Sequence, residues 1–415
     1  MLESFLLGAT LTLGQAAPAP VVVEPTTPAA IAPAQSYYLP GNYSPREEAE
    51  AANDTPTYLF MSLVDGTSVG DFMAKQRLSL SGWVAQSYTA SSANDSNLPV
   101  TWNDRANRYL MQQAWLRFER AIDPEADDIT FGFRMDMLYG TDYRFSRARN
   151  IWENQTGEYG FDPIAFYVNA YLPGLLGGTE IKFGRWFTPF GVESLEAVST
   201  PLVSRSYSFN WAPPFTHTGA LATMNLGEGL TAQAGLAVGN DIFFGPGQQL
   251  RFIGTLSYTP NEGDDTFTFG TSFGEGSYNA AEAVNNINVF DFVWAHKFND
   301  KASYSFETIY GYQNDSPLPR GTTETAHWLG IANYLFYQWT DSIQGVARLE
   351  FFDDFQGYRT GYEGLYTAIT GGFNIKPVPG LIIRPELRYD YNSESRPFEG
   401  ERDLFTAAID VILRW

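Results

Sequence analysis

The chain ends on the stretch Asp403–Trp415, DLFTAAIDVILRW. Phe405, Ala407, Ile409, Val411, Leu413 and Trp415 alternate with Leu404, Thr406, Ala408, Asp410, Ile412 and Arg414. A period of two with one apolar face is strand behaviour. At the end of a chain such a strand is either an exposed edge or the closing strand of a barrel, where its pairing with the first strand abolishes the edge.

Working back from this stretch, the same alternation recurs. Strands are expected at 78–88, 109–119, 129–139, 164–172, 179–187, 218–226, 230–239 and 250–259. They continue at 265–273, 286–296, 301–311, 325–335, 342–352, 364–375, 380–391 and 403–413. Most of these sixteen segments run near ten residues, the length a tilted strand needs to cross a bilayer. The connections alternate in length: 89–108, 140–163 and 188–217 are long, whereas 173–178 and Gly227-Glu228-Gly229 are short. That alternation puts long loops at one end and turns at the other, and an even strand count returns both termini to the turn end. The expected fold is all-β, a transmembrane antiparallel β-barrel of 16 strands.

The two faces differ in chemistry. Ile129, Phe131, Phe133, Met135 and Met137 oppose Thr130, Gly132, Arg134 and Asp136. Ile343, Gly345, Ala347, Leu349 and Phe351 oppose Gln344, Val346, Arg348 and Glu350. Leu116 and Phe118 oppose Arg117 and Glu119, and Leu387 and Tyr389 oppose Arg384, Glu386, Arg388 and Asp390. A sealed apolar interior cannot absorb so many unpaired charges. The expected assignment is apolar face to lipid and charged face to a wet lumen. Two places break the pattern. Arg185 follows Glu180, Lys182 and Gly184 onto the apolar face, which predicts a bulge, a strand end or a protein contact. Pro385 has no N–H to donate and predicts a bulge or a local interruption.

Composition narrows the functions. The 31 Phe, 24 Tyr and 10 Trp among 415 residues suit strands and the interfacial girdles of barrels. A net charge of −21 argues against a nucleic-acid partner. The chain has no Cys, which rules out disulfide and thiolate chemistry, and His217, His296 and His327 are too scattered for a His-rich metal site. No metal or cofactor is expected. No run approaches 18 apolar residues, so no transmembrane helix is expected, a rule that leaves barrel strands open.

The N-terminal part divides by composition. Residues 1–17 carry a mildly apolar run, Phe5 to Leu13, followed by Gln15-Ala16-Ala17, and read as a signal-peptide remnant without its basic n-region. Residues 18–45 are a Pro/Ala-rich flexible tail. Residues 46–76 read as a periplasmic or plug-like segment, with a helix start at Arg46 to Ala52 and a short docking element at Tyr58 to Val64. The barrel itself is expected over 78–415.

Loop 188–217 is too long and too apolar to hang in water. Phe190, Val192, Leu195, Tyr207, Phe209, Trp211 and Phe215 seek burial, which a fold inward into a wide barrel supplies. Glu193, Glu196 and Arg205 are then the candidate constriction charges. They would face wall charges Arg117, Glu119, Arg134, Asp136, Lys182, Arg348, Glu350, Arg384, Glu386 and Arg388 across the pore, a transverse field that favours dipolar solutes. Phe190, Tyr207, Trp211 and His217 are candidate packing residues. The plainer reading of Arg205 ties down the loop, and that of His217 is a structural hydrogen bond.

Phe183-Gly184-Arg185, Thr188-Pro189-Phe190-Gly191 with Glu193, Ser204-Arg205-Ser206-Tyr207 and His217-Thr218-Gly219 resemble the bacterial outer-membrane family of beta-barrel porins of the second type, OmpL-like. More broadly the chain is similar to sixteen-stranded general porins. Val192 stands where that pattern has an aromatic. The resemblance implies an outer-membrane channel for small hydrophilic solutes and ions, with 188–217 as the third long loop and the constriction. It also implies that Trp415 is the terminal aromatic read by the barrel-assembly machinery and a membrane-interface anchor. Outer-membrane lipids are expected partners, and a homo-oligomer is left open. The other classes that the residues admit are a plugged, adhesin-like surface barrel and a soluble carbohydrate-binding all-β protein. An enzyme is not expected, because Ser206 and His217 lie in no catalytic pattern and acidic pairs such as Asp353 and Asp354 are uninformative.

Overall fold

A computed structural model of the chain describes residues 59–245, 250–260, 263–274 and 287–415. The expectations for 1–17, 18–45 and the helix start at 46–52 fall outside these residues. Two short helices come first, α1 (Leu59–Val64) and α2 (Ser68–Lys75). Thr67 caps α2 by accepting from Gly70 N at 3.1 Å. Both helices lie against the first strand.

Sixteen strands follow. They are β1 (Leu78–Ser91), β2 (Arg108–Arg120), β3 (Thr130–Gly140), β4 (Gly160–Leu172), β5 (Thr179–Phe187), β6 (Thr216–Gly227), β7 (Leu230–Ala237) and β8 (Arg251–Tyr258). The second half comprises β9 (Asp265–Phe273), β10 (Asn288–Lys297), β11 (Ala302–Pro317), β12 (Thr323–Thr340), β13 (Ile343–Asp354), β14 (Gly364–Ile375), β15 (Leu381–Asn392) and β16 (Asp403–Arg414). Each pairs antiparallel with its sequence neighbour, and β16 pairs with β1, so the sheet is a closed barrel. The β1–β16 seam runs from Trp83↔Arg414 to Ser91↔Thr406. Trp415 extends it by exchanging two 2.9 Å backbone hydrogen bonds with Gly82. Glycine is required there, since a Cβ on Gly82 would sit 2.6 Å from the Trp415 ring. Two further helices lie in the long connections, α3 (Tyr143–Ser146) and α4 (Tyr207–Trp211).

Alternation sets the faces as expected. On β16, Leu404, Thr406, Ala408, Asp410 and Ile412 are buried, whereas Phe405, Ile409, Val411 and Leu413 are exposed. Exposed aromatics collect towards both strand ends, with Tyr88, Tyr109 and Phe405 at the loop end and Tyr258, Tyr337 and Trp339 at the turn end. An apolar belt between aromatic girdles is the surface a barrel presents to hydrocarbon.

One expectation changes in detail, and two are decided between their alternatives. Strand β11 runs past 311 to Pro317 and β12 runs past 335 to Thr340, with an irregularity between Gln313 and Ser316. Pro385 causes an interruption and no bulge: pairing with β14 lapses between Glu386↔Gly372 and Ile383↔Ile375, yet the register is unchanged. Arg185 sits in a regular ladder, Phe166↔Arg185 and Arg185↔Thr218, so no bulge moves it. It is fully buried by the chain itself. Its guanidinium donates to Asp162 at 2.6 Å, to the carbonyls of Pro163 and Ser146 at 2.9 Å, and to Thr216 Oγ1 at 3.3 Å. A larger correction concerns the wet inner face. Arg348, Glu350, Arg388 and Asp390 are at most 1% exposed and paired with one another, and the first three are hydrogen-bonded to residues of the connection 188–215.

Candidate functional site

The connection from β5 to β6, residues 188–215, opens with Thr188 N donating to Phe215 O at 2.8 Å, which closes its base. Phe190 is buried with Trp186, Leu221 and Ile253, and its edge meets His217 with ring centres 6.3 Å apart. Gly270 leaves the room this needs, because a Cβ there would stand 2.6 Å from the Phe190 ring. His217 is buried and has Thr188 Oγ1 3.3 Å from its Nε2.

Further on, the backbone of the segment is held by wall side chains. Gly191 N donates to Asp291 of β10 at 2.9 Å, and Val192 N to Glu307 of β11 at 3.0 Å. Gly191 has φ +80°, a left-handed conformation that favours glycine. Gln113 of β2 donates to Leu195 O at 2.8 Å and accepts from Ala197 N at 3.0 Å. Arg384 of β15 donates to Thr200 O at 2.6 Å, and Asn374 of β14 to Pro201 O at 2.8 Å. Glu386 accepts from Val203 N at 2.7 Å and Ser204 N at 3.1 Å. Arg388 donates to Arg205 O at 2.8 Å, and Glu350 of β13 accepts from Tyr207 N at 2.6 Å. Ser206 then caps α4 by accepting from Phe209 N at 3.0 Å. A segment with little regular structure cannot satisfy its own backbone groups, and here the strands satisfy them.

The charges form two clusters. In the first, Arg348 donates to Glu193 at 2.6 Å, Glu350 at 3.0 Å and Ser204 O at 2.9 Å. Arg388 donates to Asp390 at 2.7 Å and lies 3.3 Å from Glu350. Its guanidinium covers the Tyr207 ring, 5.1 Å from the centre, and Tyr207 packs on Tyr366 at 4.8 Å. In the second, Asp136 of β3 accepts from Arg117 and Arg134, both of which also donate to Glu196. Burial pushes the Glu196 carboxyl up, but Arg117 and Arg134 outweigh it and hold the carboxyl below its ordinary range. This cluster keeps some exposure, with the Arg117 and Arg134 side chains 17% and 19% accessible. Nearby, Lys182 lies 3.4 Å from Glu180 and over the Tyr167 ring, and Glu119 is half-buried.

Arg205 is buried beside the first cluster and makes no ion pair within 4 Å among the described residues. It donates to Ser194 O at 3.0 Å and Val203 O at 3.3 Å, and stacks over Trp102 at 5.3 Å and Phe209 at 5.9 Å. Burial lowers it to about 10, against the pull of Glu193. Trp211 is half-buried and donates to Pro99 O at 3.0 Å.

The structure thus brings Glu193 to Arg348, and Glu196 to Arg117, Arg134 and Asp136. Sequence reading missed Gln113, Asp291 and Glu307. A signal existed for Asp291. In Asn288–Trp294, Asp291 alternates with the outward Phe290 and Phe292, an acid on the inner face of an aromatic strand.

Gln113 also donates to Asp142 at 2.8 Å. Burial pushes the Asp142 carboxyl up from 3.8 to about 7, against the pull of Arg205 and the Gln113 hydrogen bond. A carboxyl raised in the folded state favours folding when protonated. Its contribution is complete below pH 3.8 and lost as the pH rises through about 7. Asp142→Asn should therefore flatten the fall in stability between about pH 4 and 7, read as urea midpoints of protein folded in vesicles.

Similarity to solved structures agrees with this architecture. An anion-selective porin from Comamonas acidovorans aligns at a TM-score of 0.57 and 12% identity, covering 81% of this chain and 99% of that one. OmpF of Salmonella typhi, in a complex with daunomycin, aligns at 0.57 and 11%, covering 81% and 97%. The outer-membrane channel DcaP of Acinetobacter baumannii aligns at 0.53 and 11%, covering 81% and 97%. At these identities the likeness is one of fold. A search among curated proteins finds no match. The family described as "Putative beta-barrel porin-2, OmpL-like" matches residues 77–414, the whole barrel, and the chain belongs to that family of outer-membrane β-barrel porins.

Proposed function

We propose that this protein is a diffusion porin for small hydrophilic solutes and ions, with residues 188–215 folded into the barrel as its constriction. The observation that carries the reading is the reach of one segment. Its backbone is bonded to β2, β10, β11, β13, β14 and β15, strands spread round the closed sheet. The shortest route between such strands passes through the interior. The solute path follows the wall from β2 to β4, where Arg117, Arg134 and Glu119 keep exposure, and Glu196 faces it from the loop; Lys182 of β5 is buried beside it. Glu193 and Arg348 anchor the loop, and Arg205 braces it.

Reconstitution into a planar bilayer tests this reading. Discrete, stable conductance steps are expected, and silent traces from folded protein would overturn it. The complete burial of the Arg348 and Arg388 cluster favours one competing reading, a plugged structural barrel, which predicts those silent traces. If the path follows β2 to β4, replacing Arg117 and Arg134 together by Gln leaves Asp136 and Glu196 unbalanced. The reversal potential in a salt gradient should move towards cations, whereas Arg205→Gln should leave it in place.

A further inference from the structure

The outward face of β9 and β10 breaks its apolar pattern at one place. Asp265 shares that face with the exposed Phe267 and Phe269, and His296 shares it with Phe290, Phe292 and Trp294. The two strands pair Asp265 with His296 and Phe267 with Trp294, directly opposite one another. Asp265 and His296 are the last outward positions of their strands before the short turns, at the same end of the barrel as the exposed Tyr258, Tyr337 and Trp339. A carboxylate on a lipid-facing row costs least at this level, where headgroups reach it.

Two observations point to a cationic ligand. The first is a carboxylate used on one side only. Asp265 Oδ1 accepts from Trp294 Nε1 at 2.7 Å and lies 2.8 Å from His296 Nδ1, whereas its Oδ2 has no hydrogen-bond partner among the described residues. A carboxylate only accepts, so the ring proton sits on Nδ1, and Nε2 of the neutral imidazole is a second acceptor. Lys297 beside the turn pairs with Asp300 at 3.1 Å and not with Asp265. The His296 and Asp265 side chains stay 26% and 35% accessible. The second observation is the set of rings around them. Trp294 lies 5.9 Å from the His296 ring and edge-on to Tyr304 at 5.7 Å, and the exposed Phe298 meets His296 edge-on at 4.7 Å. Two acceptors set among aromatic faces form an environment that takes an ammonium group.

The geometry points to a specific site for the ammonium headgroup of a phosphatidylethanolamine in the periplasmic leaflet. The ammonium donates to Asp265 Oδ2 and His296 Nε2 and lies against the rings of Trp294 and Phe298, and an acyl chain follows the wall past Phe267 and Phe269. Membrane lipid is the source because the site lies on the lipid-facing row, and the short turns beside it mark the periplasmic end of the barrel. A trimethylated nitrogen has no N–H for either acceptor, so a choline headgroup fits less well, and an anionic headgroup would meet the carboxylate. Nothing in this inference requires the lumen to conduct, so a silent bilayer trace leaves it standing.

The test uses the whole chain, folded and freed of lipid in detergent, with one lipid added in steps and the bound lipid counted by native mass spectrometry. The native chain should retain phosphatidylethanolamine at concentrations where phosphatidylcholine of the same acyl chains is lost, with the N,N-dimethyl lipid between them. Asp265→Asn should need about tenfold more phosphatidylethanolamine for the same occupancy. Phe298→Leu leaves the carboxylate and both its bonds in place and should need about threefold more. Equal retention of the two lipids by the native chain, or a preference unchanged in Asp265→Asn, would overturn the site. Should that variant not fold, an unchanged preference in Phe298→Leu overturns it.

Discussion

Arg348→Ala should cost about 3–5 kcal/mol of folding free energy, the scale for breaking a buried ion pair by removing one partner. Arg348 is fully buried, and its loss strands Glu193 without its 2.6 Å partner. Glu350 would keep only the cation of Arg388, 3.3 Å away. The segment 188–215 would lose the hydrogen bonds to Ser204 O and Ser204 Oγ, both at 2.9 Å. Urea unfolding in vesicles reads the effect. Adding Glu193→Gln to Arg348→Ala should recover part of it, because the second change removes the unpaired charge. If the double variant were no more stable than Arg348→Ala, the Glu193 pair would not be what anchors the loop.

The second large effect is expected at Arg185. Its side chain is 0% exposed and Asp162 is its only carboxylate partner among the described residues. Arg185→Ala leaves Asp162 buried with one remaining side-chain donor, Ser146 Oγ at 2.8 Å. The expected loss is again about 3–5 kcal/mol. Arg185→Lys should rescue little. An ammonium keeps the charge but cannot reach Asp162, two carbonyls and Thr216 at once, as the planar fork does. Arg185→Met combined with Asp162→Asn should return most of the stability, since a buried pair replaced as a unit is often neutral. The folded band on an unheated gel, followed against temperature, orders the three variants.

These two arginines also mark what the sequence does and does not disclose. Alternation along each strand reads out the face, so the exposure of Phe405, Ile409, Val411 and Leu413 follows from period two alone. The closing role of the last strand follows from the same pattern and from the even count. Partners across the barrel are a different matter. Glu193 and Arg348 are 155 residues apart, and no local pattern ties one to the other. For that reason the inner charges read as facing water, whereas Arg348, Glu350 and Arg388 are buried and hydrogen-bonded to residues of 188–215. Arg185 is hidden for a similar reason: its acceptors on β4, α3 and β6 are near in space and scattered in sequence. Strand ends fail where polarity equalises the faces. Gln313, Asn314 and Asp315 carry no period-two contrast, yet β11 continues through them.

The backbone bonds of Val203 and Ser204 to Glu386, of Tyr207 to Glu350 and of Arg205 to Arg388 place the hold on the loop in a few wall residues. Loosening that hold should widen the path without breaking the barrel, whose sixteen ladders do not involve it. The most direct test of a conducting barrel narrowed by 188–215 is the single-channel conductance of Arg348→Ala beside that of the native chain. The native protein should give discrete steps, and the variant larger ones. Silent native traces, or steps of the same size in both, would contradict the account.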